Sequence, residues 1–210
     1  MNRIICLLLV FSYNTAHCQL ADSTKIKEMM AKELAFEDQN VLDSALAESK
    51  KIVNMAPTCY PVMNTIAGLY GKLGDFNSEV EWAKKALHVH FGYAEAYINL
   101  GNGYLGLNDL VNAKENYTEA EKLDPKNPIP VYSLGVIEEN KQNYQQALVY
   151  YKQSVALDSN YENGFYNMAA MYANLGDFKN AEICIEKVLK LDPGAEDAKE
   201  MQAHIKPHLQ

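Results

Sequence analysis

AEAYINLGNGYLGLNDLVNAKENYTEAEKLDPKN, residues 94–127, is one period of a pattern that fills most of the 210-residue chain. Its central triplet Asn108-Asp109-Leu110 is echoed by Gly74-Asp75-Phe76, Gln142-Asn143-Tyr144 and Gly176-Asp177-Phe178, each 34 residues from the next. The same step links Ala45, Glu79, Ala113, Ala147 and Ala181. It also links Ile52, Ala86, Ala120, Ser154 and Val188, then Pro57, Phe91, Pro125, Ser159 and Pro193, and again Tyr70, Tyr104, Glu138 and Tyr172. Several independent columns that keep one period mark a stacked repeat, in which each unit shields its neighbour's apolar side.

Within a period the apolar residues keep helical spacing. Tyr97, Leu100, Gly101 and Tyr104 fall at i, i+3, i+4 and i+7, and Leu110, Ala113, Tyr117, Ala120 and Leu123 do the same in a second segment. No stretch alternates with period two for long enough to make a strand, so the fold class is all-α. Gly74, Asn108 and Gly176 suit the left-handed residue that ends a helix. Gln142 breaks that column, and its turn is expected to be strained or differently shaped. Asp75, Asp109, Asp177 and Asn143 follow as N-caps of the second helices. Small residues at Ala67, Gly101, Gly135 and Ala169, and at Ala113, Ala147 and Ala181, let paired helices cross closely. Pro125 and Pro193 end the second helix of their units.

The amino-terminal stretch has a different character. Met1-Asn2-Arg3 carries one positive charge, Ile4 to Phe11 is apolar without a break, and Ser12 to Thr15 turns polar. This is the make-up of a secretory signal peptide, too short to span a bilayer as a permanent helix. Cleavage after Cys18 is the first choice, with Ala16 and Cys18 at −3 and −1, and cleavage after Ala16 the second. A lipid-modified Cys18 and an uncleaved anchor are the alternatives, the former disfavoured by the bulky His17. The chain is expected in the periplasm or outside the cell, without membrane insertion once cleaved. The net charge of −8 argues against nucleic acid or an anionic lipid surface as partner. Of the four cysteines, Cys6 and Cys18 belong to the leader. Cys59 and Cys184 show no metal-ligand spacing and fall in the first and last units, too far apart to be linked to each other, Cys184 serving as a small buried apolar residue.

Tyr97-x2-Leu100-Gly101-x2-Tyr104, followed by Ala113, Tyr117, Ala120 and Pro125, resembles the tetratricopeptide repeat. The resemblance implies a right-handed α-solenoid of about five helix-turn-helix units: 26–59, 60–93, 94–127, 128–161 and 162–195. They follow a leader at 1–18 and a short lead at 19–25. A helix over 196–206, with Ala198, Met201 and Ile205 on one face, would cap the array before a tail at 207–210. The third unit fits best. The fourth departs at Glu138, Ser154 and Ser159, and the opening helix of the first, Ile26 to Phe36, lacks the Leu-Gly signature.

The same resemblance implies a concave groove lined by the first helices. The positions facing it would be Asn64, Thr65 and Gly68; Ile98, Asn99 and Asn102; Tyr132, Ser133 and Val136; and Tyr166, Asn167 and Ala170. No Lys or Arg is among them, which counts against holding the acidic tails of heat-shock proteins. Asn64, Ile98, Asn99, Asn102, Tyr132, Tyr166 and Asn167 are the candidate partner-binding residues, suited to an extended, weakly charged peptide or a partner helix. The competing reading is that the asparagines bond a neighbouring helix and the tyrosines pack between units.

Catalytic signals are weak. His88 and His90 point to different sides of a helix, and Pro207 separates His204 from His208, so no metal is expected. Glu138-Glu139 and Asp124 read as solvated or turn positions, with no cleft to raise a carboxylate pKa. No cofactor is implied. The function expected is an exported, non-enzymatic scaffold that binds a peptide or protein of unnamed identity. An outer-membrane lipoprotein or assembly accessory factor, and a recognition module of an enzyme, are the alternatives.

Overall fold

A computed structural model describes residues 23–39 and 41–209. The predicted leader and its cleavage sites lie outside the described residues. Eleven α-helices follow one another without a strand among the described residues. The chain divides into two compact units, Met1–Asn116 and Tyr117–Gln210.

The first unit holds α1 (Ser23–Asp38), α2 (Leu42–Met55), α3 (Tyr60–Lys72), α4 (Phe76–Val89) and α5 (Ala94–Gly106). The division falls within α6 (Leu110–Leu123). Helices pack in adjacent pairs, α1 on α2 and α3 on α4, and α3 also lies against α5. No single centre gathers the apolar residues here. Met30, Ile52, Ala56, Cys59 and Val62 form one cluster, Ala45, Leu46, Ile66 and Leu69 a second, and Ala67, Ala83 and Leu100 a third. Each cluster joins residues from successive hairpins, so each hairpin buries the face that its predecessor would leave wet.

The second unit holds α7 (Pro128–Asn140), α8 (Tyr144–Leu157), α9 (Glu162–Asn174), α10 (Phe178–Leu191) and α11 (Glu196–Ile205), and ends in a 3-10 turn over Lys206–His208. Tyr151, Ala169, Ala181 and Ile185 are fully buried in its core. Ala198 and Ile205 of α11 join that core while Lys199, Glu200 and Lys206 face water. Gly135 carries a packing need of its own, because a Cβ there would sit 2.6 Å from the Tyr151 ring.

The turns inside the hairpins repeat one geometry. Gly74, Asn108, Gln142 and Gly176 all adopt positive φ, between 59° and 77°. The next amide returns to the helix before it each time: Asp75 to Tyr70, Asp109 to Tyr104, Asn143 to Glu138 and Asp177 to Tyr172, at 2.8–3.0 Å. The Gln142 turn therefore keeps the shape of the others. What departs is the cap after it. Asp75, Asp109 and Asp177 accept from the backbone amides of Ser78, Asn112 and Asn180. Asn143 makes no such bond, because its amide donates to Glu138 Oε2 at 2.9 Å. Glu138 is accordingly buried and paired rather than solvated, with Lys141 on its other oxygen at 3.2 Å. Lysines lie over the tyrosine column as well: Lys50 over Tyr70, Lys84 over Tyr104 and Lys152 over Tyr172, each 5.1–5.3 Å from the ring centre.

Cys184 is a free, buried thiol whose pKa burial pushes up to about 11, as a small apolar residue would require. Cys59 is disulfide-bonded, but not to Cys184, in line with their places in the first and last repeats. Among the described residues no helix is long and apolar enough to cross a membrane.

Candidate functional site

Two glycines open a cavity in the first unit. Gly68 and Gly71 stand a turn apart on α3 and line a space of about 390 Å³. Lys72, Phe76, Glu79, Asn99 and Asn102 complete its lining. Asn99 is fixed by its neighbour helix. Its Nδ2 donates to the Asn64 carbonyl oxygen at 3.1 Å and to Asn64 Oδ1 at 2.8 Å. A main-chain carbonyl only accepts, so this contact settles which way the amide points.

Glu79 is the unusual wall of this cavity. It stands in the column where other units have Ala45, Ala113, Ala147 and Ala181, and it is 2% exposed. Its Oε2 has no hydrogen-bond partner, and burial pushes its pKa up to about 8. The carboxyl fits because position 71 is glycine: a Cβ there would meet Glu79 Oε1 at 2.7 Å and Cδ at 2.8 Å. The ammonium of Lys72 is engaged by Glu37 on α1. Glu33, also on α1, occupies the column of Ala67, Gly101, Gly135 and Ala169. It too is buried with an unpartnered oxygen, Oε1, and its pKa rises to about 7. Burial is the main cause there, Glu37 adds to it and Lys72 works against it.

The second unit holds a polar knot and a separate cavity. Asn167 Nδ2 donates to the Tyr132 hydroxyl at 3.0 Å and to the Tyr151 hydroxyl at 3.2 Å, while Tyr151 donates onward to Glu139. Burial and then Glu139 hold the Tyr151 phenol well above its ordinary pKa. Tyr132 tilts against Tyr151 and meets Tyr161 edge-on, at 5.3 and 5.2 Å between ring centres. Tyr166 takes no part in this knot. It lines a cavity of about 420 Å³ with Glu162, Asn163, Asp192, Glu196 and Asp197 around it.

The sequence-predicted residues thus separate into roles. Asn64, Asn99 and Asn102 come together in the first unit, with Asn99 and Asn102 on the cavity wall. Ile98 is buried. Tyr132 and Asn167 bind each other, so their polar groups serve the packing of neighbouring helices first. The carboxyls whose pKa is raised are Glu33 and Glu79, neither of which the sequence reading singled out. Both were legible as charged residues standing in small-residue columns, a signal that a count of motif matches passes over.

Models of the tetratricopeptide repeat match residues 94–127 and 163–195, and a second such model matches residues 131–161. Anaphase-promoting complex subunit 3 of Schizosaccharomyces pombe is 26% identical over 153 residues, covering 70% of this chain and 23% of that protein. Serine/threonine-protein phosphatase 5 of Homo sapiens is 32% identical over 106 residues, covering 50% and 21%. The chain spans about a fifth of the length of these curated relatives. Among solved structures, a thermophilic tetratricopeptide-repeat protein of Thermus thermophilus superposes with a TM-score of 0.77 at 19% identity, covering 87% of this chain and 99% of that one. What is shared at that identity is the fold.

Proposed function

Since this chain is a tetratricopeptide-repeat protein, we propose that it is a non-catalytic scaffold that holds a peptide or protein against the first helices of its hairpins. One observation carries the reading. The cavity of the first unit opens where α3 lies against α5, and the side chains at its wall are amides and a carboxyl held in place by helix packing. A partner group entering there meets polar atoms whose positions are already fixed, which lowers the ordering cost of binding. The repeat architecture supports this use, because rigid hairpins carry interaction surfaces without needing a catalytic centre.

We further propose that the leader exports the chain and is removed during export. Mass measurement of the native amino terminus tests this. A diacylglycerol-modified Cys18 would move the protein to a lipoprotein role in envelope assembly.

Binding is tested by placing a photo-crosslinking amino acid at Asn102, on the cavity wall, and at Glu115, which is exposed on α6. The expected result is a discrete adduct from position 102 and none from 115. Equal adducts from both positions, or none from either, would overturn the scaffold reading.

A further inference from the structure

One group on the wall of the first unit's cavity has no counterpart in a neutral amide groove, the Glu79 carboxyl. Glu79 presents an oxygen, Oε2, that is buried and has no donor. Leaving such an acceptor unmet costs free energy that an incoming N–H would recover. Asn99 turns its amide nitrogen to Asn64, which leaves its carbonyl oxygen as the acceptor it can offer. The cation among the lining residues, Lys72, is turned to Glu37, so its charge is already answered. Phe76 adds a ring against which an alkyl stem or a flat cation can lie.

We propose that this cavity receives a cationic side chain, the ammonium of a lysine or the guanidinium of an arginine, presented by a partner peptide, with Glu79 as its counter-charge. The inference deepens the scaffold reading and rests on it. A guanidinium or ammonium supplies several N–H donors at once, satisfies Glu79 Oε2, and pairs with the carboxyl as it ionises, so the bond formed is charge-assisted. An anionic guest would find no free cation, the Lys72 ammonium being engaged by Glu37, and would be repelled as soon as Glu79 ionised. A neutral guest would gain only an ordinary hydrogen bond. The net charge of −8 favours the approach of a basic segment over long range. The space of about 390 Å³ accommodates one such side chain and its stem. Glycine at 71 has the same logic, since any side chain there would push into the Glu79 carboxyl.

The test titrates the full chain with acetyl-Gly-Gly-Arg-Gly-Gly-amide, its lysine counterpart, its glutamine counterpart and its glutamate counterpart, following the Gly71 backbone amide and the Asn99 and Asn102 side-chain amides by nuclear magnetic resonance. Arginine or lysine peptides should shift these signals saturably, and the two arms show which cation fits better. Glutamine and glutamate peptides should leave them in place. Glu79→Gln keeps the shape and removes the group that ionises on pairing, and should weaken the cationic peptides at least about tenfold with the rest of the spectrum unchanged. Equal binding of the glutamine peptide, binding of the glutamate peptide, absence of shifts with either cation, or full binding by Glu79→Gln would each overturn the proposal. The crosslink from position 102 separates this from the scaffold reading. If it persists in the Glu79→Gln protein, the cation claim falls and the scaffold stands; if it is missing in the wild-type protein, the scaffold falls.

Discussion

Gly71 and Glu79 behave as one decision taken at two positions, because a methyl group on the first would overlap the carboxyl of the second. Gly71→Ala should therefore destabilise the wild-type chain by about 1–2 kcal/mol, the overpacking outweighing the helix propensity gained. In a Glu79→Ala background the same change should instead stabilise by about 0.5–1 kcal/mol, since only the propensity term is left. A double-mutant cycle in urea measures the difference, and additive effects would show that the two side chains do not meet. The raised pKa has a second consequence. Glu79 loses its proton near pH 4.5 in the unfolded chain and near 8 in the folded one, so the native state holds the extra proton between those values. Stability falls as pH rises through that window, and Glu33 adds to the fall between about 4.5 and 7. Glu79→Gln should flatten the upper part of the curve and be more stable than the wild type at pH 8 by roughly 1–3 kcal/mol. Parallel curves for the two proteins in urea titrations across pH 5–9 would refute it. The column of Ala45, Ala113, Ala147 and Ala181 was readable from spacing, and Glu79 stood visibly against it. What spacing does not carry is where the odd side chain goes. That depended on a glycine eight residues earlier and on a neighbouring helix.

At the level of the helix and its turn, the four positive-φ residues show local chemistry yielding to the repeat. Gly74 and Gly176 need no compensation, and Asn108 tolerates the left-handed region better than most residues. Gln142 has neither advantage, yet its turn closes with the same pair of backbone bonds as the other three. The hairpin α7–α8 is held together along its length and packs against α9, so the strain is carried in one residue rather than relieved by a new turn. Gln142→Gly should raise stability by about 1 kcal/mol, read as a higher urea midpoint at unchanged slope. No gain would mean that the residue is not strained. Helix identity and turn placement were legible in the sequence because each depends on residues within one period. The cap at Asn143 was not, because its side chain is drawn to Glu138, a residue that departs from its own column.

Over the whole molecule, stability should be local because burial is local. Ile205 is fully buried in the second unit, among residues of α10 and α11 that include Cys184, Ile185 and Val188. Ile205→Ala removes three carbons from that cluster and should cost about 2–5 kcal/mol. In a globule with one central core, such a loss lowers the protection of every slowly exchanging amide together. In an array each hairpin answers mainly to its neighbours, so the loss should open the last helices first. Hydrogen exchange should therefore show amides of α10 and α11 exchanging faster by the full effect, while amides of α3 and α4, in the other compact unit, keep their wild-type rates. The clusters of the first unit, each joining only successive hairpins, are the reason to expect this confinement. A uniform loss of protection from α1 to α11 would mean that the chain unfolds as one body. The helical period would then describe how the chain is drawn and not how it is held.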